Sequence, residues 1–490
     1  MIILPADKNT SGSEYLLVLS IAFLALSCSS TPEVKVNDGV VEETLKEVTG
    51  VTTQDVERVS SKEALTLDDL YVLAVERTER IALKNESTEQ AGAQKDKAFA
   101  GFLPTLSYVF NKFYAVPGHR VDQSYQNLQT YNAINNGNYS SLLPNGSSSA
   151  LPPTVGAGSR LLLSIPLSAG IASYQDYRSA KNLIEQRRME AKFEAGRMYL
   201  ELAQGYFNFL QLEENTKYSQ ESYDLNREAL DERRRLYSLG RIMRSELLNS
   251  ETALSNAEAV LADAKFQLEQ VRITLGTMVG STAGVKVAAF TTNFSPPDTG
   301  DPREFVAKRY DVRATDKSIQ VADANKDKAW AGFIPSVALN NYFSFPVHGQ
   351  TTPKDITAQL AITVPLTPLS QMADLKTAES MRKQAKLTAS QTKRTASQEI
   401  RTAIESYQNS ERILKIYEKA YQYARETAQS QIAGYRTGRN SRIEAITARL
   451  STITAEMTYR RMIHQHALNR IALGVAIGEM PKIPDEKKKD

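Results

Sequence analysis

Two matched clusters of glutamate and arginine are the groups in this sequence best placed to do something electrostatic. In each half a glutamate stands six residues after a glycine, Glu246 after Gly240 and Glu444 after Gly438. Arg241 and Arg244 crowd the first cluster, and Arg439 and Arg442 the second. Charges so arranged can pair with one another or bias the passage of ions, but they do not make or break covalent bonds. Exposed pairs contribute only about 0–1 kcal/mol each, so a latch built from them needs several in concert. His464 and His466 are two apart and face different directions on a helix, while His119 and His348 belong to separate loops or strand ends. The four histidines therefore do not read as a metal set. No nucleophile elbow, P-loop or zinc motif occurs. An enzyme reading has little to rest on, and no cofactor is implied.

Cys28 is the single cysteine, which excludes an intrachain disulfide. It directly follows an apolar stretch, Tyr15 to Leu26. That stretch falls short of the about 20 apolar residues of an ordinary transmembrane helix, but has the length of a secretory signal core. A lone cysteine there resembles the acylation site of a bacterial lipoprotein, cut before the cysteine and lipidated on it. The alternative is cleavage nearby, with Cys28 lost or left free. On the first reading, residues 1–27 are a signal peptide and 28–64 a lipid-anchored N-terminal tether, extended because Ser29–Lys62 is polar and poor in aromatics. No later segment is long and apolar enough for a transmembrane helix, so membrane insertion would have to use strands.

The elements that position the glutamate clusters follow from a duplication. KDKAFAGFLP at Lys95–Pro104 returns as KDKAWAGFIP at Lys326–Pro335. In each copy a charged, alanine-rich helical stretch meets a glycine, Gly101 or Gly332, expected to end it. A proline, Pro104 or Pro335, then opens an extended segment. The first helix is expected from an N-cap at Thr66 to Gly101, and the second from Pro302 to Gly332. Period-two alternation comes after each junction, with Leu106, Tyr108 and Phe110 on one face of the first strand and Val337, Leu339 and Phe343 on one face of its counterpart. Leu161, Leu163, Ile165 and Leu167 match Leu360, Ile362, Val364 and Leu366 in a second strand pair. Each half thus offers a hairpin, 104–167 and 335–366, with a long Asn- and Ser-rich loop in the first and a short loop in the second. Tyr114, Tyr342 and Phe345 join Tyr108, Phe110 and Phe343 as aromatics suited to an interfacial girdle.

Two long proline-free tracts of good helix formers come next, broken at Ser238-Leu239-Gly240-Arg241 and Arg436-Thr437-Gly438-Arg439. Each gives a helix of about 70 residues, on the order of 100 Å at 1.5 Å per residue, then a reversal and a helix of about 35. Lys and Arg number 59 against 56 Asp and Glu, a net charge of +3 that argues against nucleic acid as a partner. Four strands cannot close a barrel, for which about eight is the practical minimum. Apolar strand edges left open are an aggregation hazard, so the chain is expected to lend its strands to an oligomeric barrel. Closure alone permits a dimer or a trimer.

These features in this order resemble the outer membrane efflux protein family, the TolC-like and OprM-like exit ducts of Gram-negative bacteria. The resemblance runs from about Leu65 to Gly478. It rests on the duplicated strand entries at Pro104 and Pro335 and on the helix–turn segments Leu236–Asn249 and Tyr435–Thr447. It also rests on Ala307–Arg313, AKRYDVR, similar to the family's Arg-Pro-Asp-Leu-Arg stretch with Tyr310 in place of the usual proline. The resemblance implies an α+β membrane protein: a trimeric twelve-stranded β-barrel, four strands per protomer, continued by a long α-helical periplasmic tunnel. Residues 65–280 and 302–479 would be the two repeats, 281–301 an equatorial linker and 480–490 a polar tail. Gly240 and Gly438 would mark the closed periplasmic tip and adaptor contact, with Glu444 lining the constriction and Glu246 as its weaker counterpart. Such a ring favours cations and raises its own members' pKa values. The alternative for both is a solvated coiled-coil face. Asn249 and Thr447 stand where a second acid would deepen the charge. The tip arginines are expected to bridge to Glu246 and Glu444, to meet an adaptor, or to make the entrance tolerate anions. Implied partners are two further copies, a periplasmic adaptor, an inner-membrane pump of the RND or ABC type that supplies the energy, and outer-membrane lipid. A poreless periplasmic coiled-coil spacer and a soluble enzyme are the competing readings.

Overall fold

The computed structural model describes residues 42–60, 62, 64–112, 157–168, 170–281, 285–290, 300–345 and 356–480. The expected signal peptide, Cys28, Tyr114, His119, His348, nearly all of both hairpin loops and most of the C-terminal tail lie outside them. The described elements are α1 (Glu42–Thr49), α2 (Thr53–Ser60), α3 (Leu67–Arg77), α4 (Glu79–Ala100), β1 (Thr105–Lys112), β2 (Ala157–Pro166), α5 (Gly170–Ser238), α6 (Arg244–Met278), α7 (Pro302–Lys308), α8 (Tyr310–Ala331), β3 (Ser336–Phe345), β4 (Ile356–Thr363), α9 (Leu369–Arg436) and α10 (Arg442–Ala476). The duplication holds element by element. The pair α4 and α8 have 22 residues each, α5 and α9 have 69 and 68, and α6 and α10 have 35 each. None of the described helices is long and apolar enough to cross a membrane.

The chain divides into two compact units, one holding the described parts of 1–89, 186–315 and 390–490, the other those of 90–185 and 316–389. The second unit carries the strands, which form one antiparallel sheet in the order β1-β2-β3-β4. The pairs Leu106↔Leu163, Tyr108↔Leu161, Leu161↔Phe343, Ile165↔Leu339, Leu339↔Leu360 and Val337↔Ile362 align the two hairpins so that their apolar positions share a face. That face is open: Leu106 is 64% exposed and Ile356 75%. The opposite face is polar. Ser164 Oγ donates to Asn340 Oδ1 at 2.8 Å, Tyr342 Oη donates to Gln359 Oε1 at 3.2 Å, and the Arg160 guanidinium lies 5.7 Å from the Tyr342 ring centre. The buried apolar residues described in this unit are all alanines, among them Ala91, Ala180, Ala322 and Ala389. Many of the large apolar side chains on its helices are exposed, among them Phe99, Ile171, Tyr174, Trp330 and Met372. This is the inverse of a water-soluble domain.

The first unit has an ordinary core. The helix α3 is buried almost all round through Leu70, Tyr71, Val72, Leu73, Ala74 and Val75, against Met198, Leu202, Tyr206 and Phe207 of α5 and Leu275 of α6. Thr66 caps α3 with Asp69 in a reciprocal capping box. A second cluster joins Phe305 of α7 to Ile400, Leu473 and Ile477.

Three expectations change. The helix expected from Thr66 to Gly101 is two helices, parted at Thr78, whose backbone is extended and whose hydroxyl donates to the Ala74 carbonyl at 2.6 Å. The second copy parts at the matching residue, Arg309, also extended. Gly101 and Gly332 do not end their helices by left-handed caps, since neither has a positive φ. The last turn instead tightens, with Gly101, Phe102 and Leu103 donating to the carbonyls of Ala98, Phe99 and Ala100 and the second copy doing the same. A Cβ at 101 would sit 2.8 Å from Ser173 Oγ, so a larger residue there would require that hydroxyl to turn aside. Finally, the described part of the expected extended tether is helical. Val48 of α1, Val51 between the helices and Val59 of α2 are buried, and the Thr49 carbonyl accepts from Tyr71 Oη at 3.2 Å. Spaced valines gave this polar stretch one apolar side, sufficient once a partner surface exists.

Candidate functional site

Both helix reversals are built alike. Gly240 and Gly438 take φ of +70° and +75°, and no atom lies within 4 Å of where a Cβ would be. The glycines are required by backbone conformation alone. At the first turn the amide of Arg241 donates to Leu236 and that of Gly240 to Tyr237. At the second, Arg439 donates to Gly434 and Gly438 to Tyr435. This doubly bonded cap satisfies carbonyls that a helix end leaves open.

The two turns differ at the start of the returning helix. At the first, Met243 precedes α6 with no side-chain cap. At the second, Ser441 and Glu444 form a capping box: the Glu444 amide donates to Ser441 Oγ at 3.2 Å, and the Ser441 amide donates to the Glu444 carboxylate at 2.9 Å. Asn440 adds a clasp, its side-chain amide donating to Gln431 Oε1 at 2.6 Å while packing directly over Gly434. A side chain at 434 would collide with it. The matching residue of the first turn is Leu236.

Among the described residues of this one chain, no bridge joins the tip arginines to Glu246 or Glu444. Glu444 is exposed and its carboxylate is engaged by its own helix end. Glu246 is exposed, and among the described residues it has no ion pair, nor do Arg241, Arg244 and Arg439. Arg442 instead reaches α5, where Nε and Nη2 both donate to Glu228 Oε1 at 2.9 and 2.7 Å, with Glu232 at 3.7 Å. Two helical turns further, Arg449 repeats the arrangement on Glu221, at 2.8 and 2.5 Å. The acids at 221 and 228 and the bases at 442 and 449 have the same seven-residue spacing. On antiparallel helices this brings both pairs into register. That spacing was the available signal for Glu221, Glu228 and Arg449, the residues sequence reasoning missed.

The same two helices meet again at His464, which is buried and lies against Phe207 and Phe290. Its Nε2 is 3.1 Å from Glu214 Oε2, and its Nδ1 has no hydrogen-bond partner among the described residues. Burial pushes the Glu214 carboxyl up, but the bond and charge of His464, with Arg460 and Lys217 nearby, outweigh this and hold it below its ordinary value. His466 points elsewhere, 3.0 Å from Ser410 Oγ and stacked on Tyr407. No group of three or more His, Cys, Asp or Glu suited to a metal occurs among the described residues.

Residues 302–479 match the family model described as outer membrane efflux protein. No curated protein matches the chain. Among solved structures, it is similar to the outer membrane protein VceC of Vibrio cholerae, with a TM-score of 0.67 and 16% identity over 84% of this chain and 96% of that one. It is also similar to the CmeC outer membrane channel of Campylobacter jejuni, with 0.65 and 17% over 100% and 96%. The open state of the MtrE outer membrane channel of Neisseria gonorrhoeae gives 0.61 and 19% over 92% and 96%. At these identities the shared property is the fold.

Proposed function

We propose that this chain, whose residues 302–479 form an outer membrane efflux protein domain, is one subunit of an outer-membrane export channel. The observation that carries this reading is the sheet: four strands, an exposed apolar face, a polar reverse face and, among the described residues, outer edges of β1 and β4 with no neighbouring strand. Three such sheets joined edge to edge close a twelve-stranded barrel, apolar toward lipid and polar toward the lumen. The helices continue the duct into the periplasm. Its partners are two further copies, a periplasmic adaptor and an inner-membrane pump of the RND or ABC type, which supplies the energy. Cys28, acylated after removal of residues 1–27, anchors each chain to the membrane.

The gate in this reading is the pair of reversals at Gly240 and Gly438. Glu444 keeps the start of α10 well formed, and its charge, repeated three times, favours cations at the entrance. Arg241, Arg244 and Arg439, which have no ion pair among the described residues, lower that preference and offer themselves to an adaptor. Arg442 and Arg449 tie α10 to α5, and opening requires α10 to leave Glu228 and Glu221. The reading is tested by membrane fractionation and by the mass of the detergent-extracted protein. An outer-membrane species of three chains, shifting to one chain on heating, is expected. Recovery as a monomer in the aqueous fraction would overturn it and favour a spacer or soluble protein.

A further inference from the structure

The four strands contain no aspartate or glutamate, and their charged residues are Arg160 and Lys112, the last residue of β1. Arg160 shares the polar face of the sheet with Ser164, Asn340, Tyr342 and Gln359, as the pairs Ser164↔Asn340, Leu162↔Tyr342 and Asn340↔Gln359 require. It is exposed, lies near the loop end of β2 opposite Val109, and makes no ion pair among the described residues. Its guanidinium rests over the Tyr342 ring at 5.7 Å, and Tyr342 is held in turn by its bond to Gln359 at 3.2 Å. An arginine seated on an aromatic ring is positioned without losing its charge or its N–H donors. With no acid to meet, that charge adds nothing to the sheet by pairing. On the outside of a soluble protein such a residue is ordinary. On the inner wall of a barrel it recurs in every subunit around one lumen, where low-dielectric walls focus its field.

We propose that Arg160, repeated once per subunit, makes the barrel stretch of the duct favour anionic solutes over cations. Tyr342 and Gln359 hold the guanidinium in place, and the lack of strand acids leaves its charge unopposed. The proposal rests on the channel reading, which turns the polar face of the sheet to the lumen. The Glu444 charge belongs to the tip, so only a change at 160 isolates this ring.

With the charges about 10 Å from the lumen axis and a Debye length of about 10 Å at 0.1 M salt, three arginines change the ratio of chloride to potassium permeability by about fourfold. The reversal potential of the full-chain oligomer under a potassium chloride gradient reads this ratio. Every chain in the series carries Arg442→Ala and Arg449→Ala to favour the open tip. Arg160→Gln should move the ratio toward potassium by about that factor, and Arg160→Glu further, while Arg160→Lys should stay near the parent. At 1 M salt, where the Debye length is about 3 Å, the differences should vanish. Arg160→Cys guards against a folding defect, because one oligomer is read before and after modification. A cationic methanethiosulfonate should restore the parent ratio, and an anionic one should push it further toward potassium. The parent, with Cys28 as its sole cysteine, is the reference for both reagents. Current from every variant at one unchanged ratio, or an Arg160→Cys channel that neither reagent alters, would overturn the ring and leave the channel reading standing. No current from any variant, in oligomers that insert into the bilayer, would take the channel reading down with it.

Discussion

Replacing Arg442 and Arg449 with alanine should shift the channel toward its open state. Arg442 gives two donors to one oxygen of Glu228, with the side chains 40% and 41% exposed, and Arg449 treats Glu221 the same way. Half-exposed pairs of this kind contribute about 0.5–1 kcal/mol. Glu232 is not stranded by the loss, because Arg235 also lies 2.6 Å from it. The two pairs are two helical turns apart, about 10 Å, so their effects should nearly add to about 1–2 kcal/mol per subunit. If three subunits open together, the closed state loses about 3–6 kcal/mol, or roughly two to four powers of ten in the closed-to-open ratio. Open probability in planar bilayers reads this directly, and high salt, which screens exposed charge, should narrow the gap between wild type and variant. A double-mutant cycle supplies the refutation. If Arg442→Ala raises opening as much in a Glu228→Gln background as in the wild type, Arg442 does not act through Glu228 and the latch is wrongly identified.

Glu444 has two separable roles, because glutamine can complete a capping box without carrying charge. Glu444→Gln should keep the thermal midpoint while weakening cation preference in reversal-potential measurements, whereas Glu444→Ala should also destabilise by about 0.5–2 kcal/mol. Equal selectivity in wild type and Glu444→Gln would remove the residue from the conduction path. Gly438→Ala forces a Cβ into the left-handed region and should cost about 1–2 kcal/mol in a urea titration; no change would mean the reversal tolerates another path. The Glu214 carboxyl, held below its ordinary value, stabilises fully above the unfolded carboxylate range, and that contribution is lost as pH falls through its folded value. His464→Gln should therefore flatten the acid limb of stability below about pH 4.5, and an unchanged limb would exclude the pair as its source.

Local signals in this chain were readable where local chemistry decides the structure. The repeat at Lys95 and Lys326, the strand alternation and the turn glycines at 240 and 438 each depend on neighbours a few residues away. The breaks at Thr78 and Arg309 escaped because both lie inside good helical pattern, and each is held by a bond one turn back rather than by a proline or glycine. The helices at 42–60 escaped because three valines matter only once α3 offers a surface. The tip electrostatics were misassigned for a similar reason. Proximity along the chain pointed Arg442 at Glu444, but the capping box had already taken that carboxylate, and the partner actually used is 214 residues away. The one-sided alternation of the strands was legible and gave the apolar face of the sheet, whereas the alanine-only interior of the unit that carries it was not, because burial of those alanines depends on helices far apart in the chain.

The central claim is that this chain builds a pore, and single-channel recording of the purified oligomer with Arg442 and Arg449 both replaced by alanine tests it most directly. Discrete current steps, rarer or smaller in the wild type, are the expected result. A heat-modifiable oligomer that inserts into bilayers yet passes no current, in wild type and variant alike, would contradict the account.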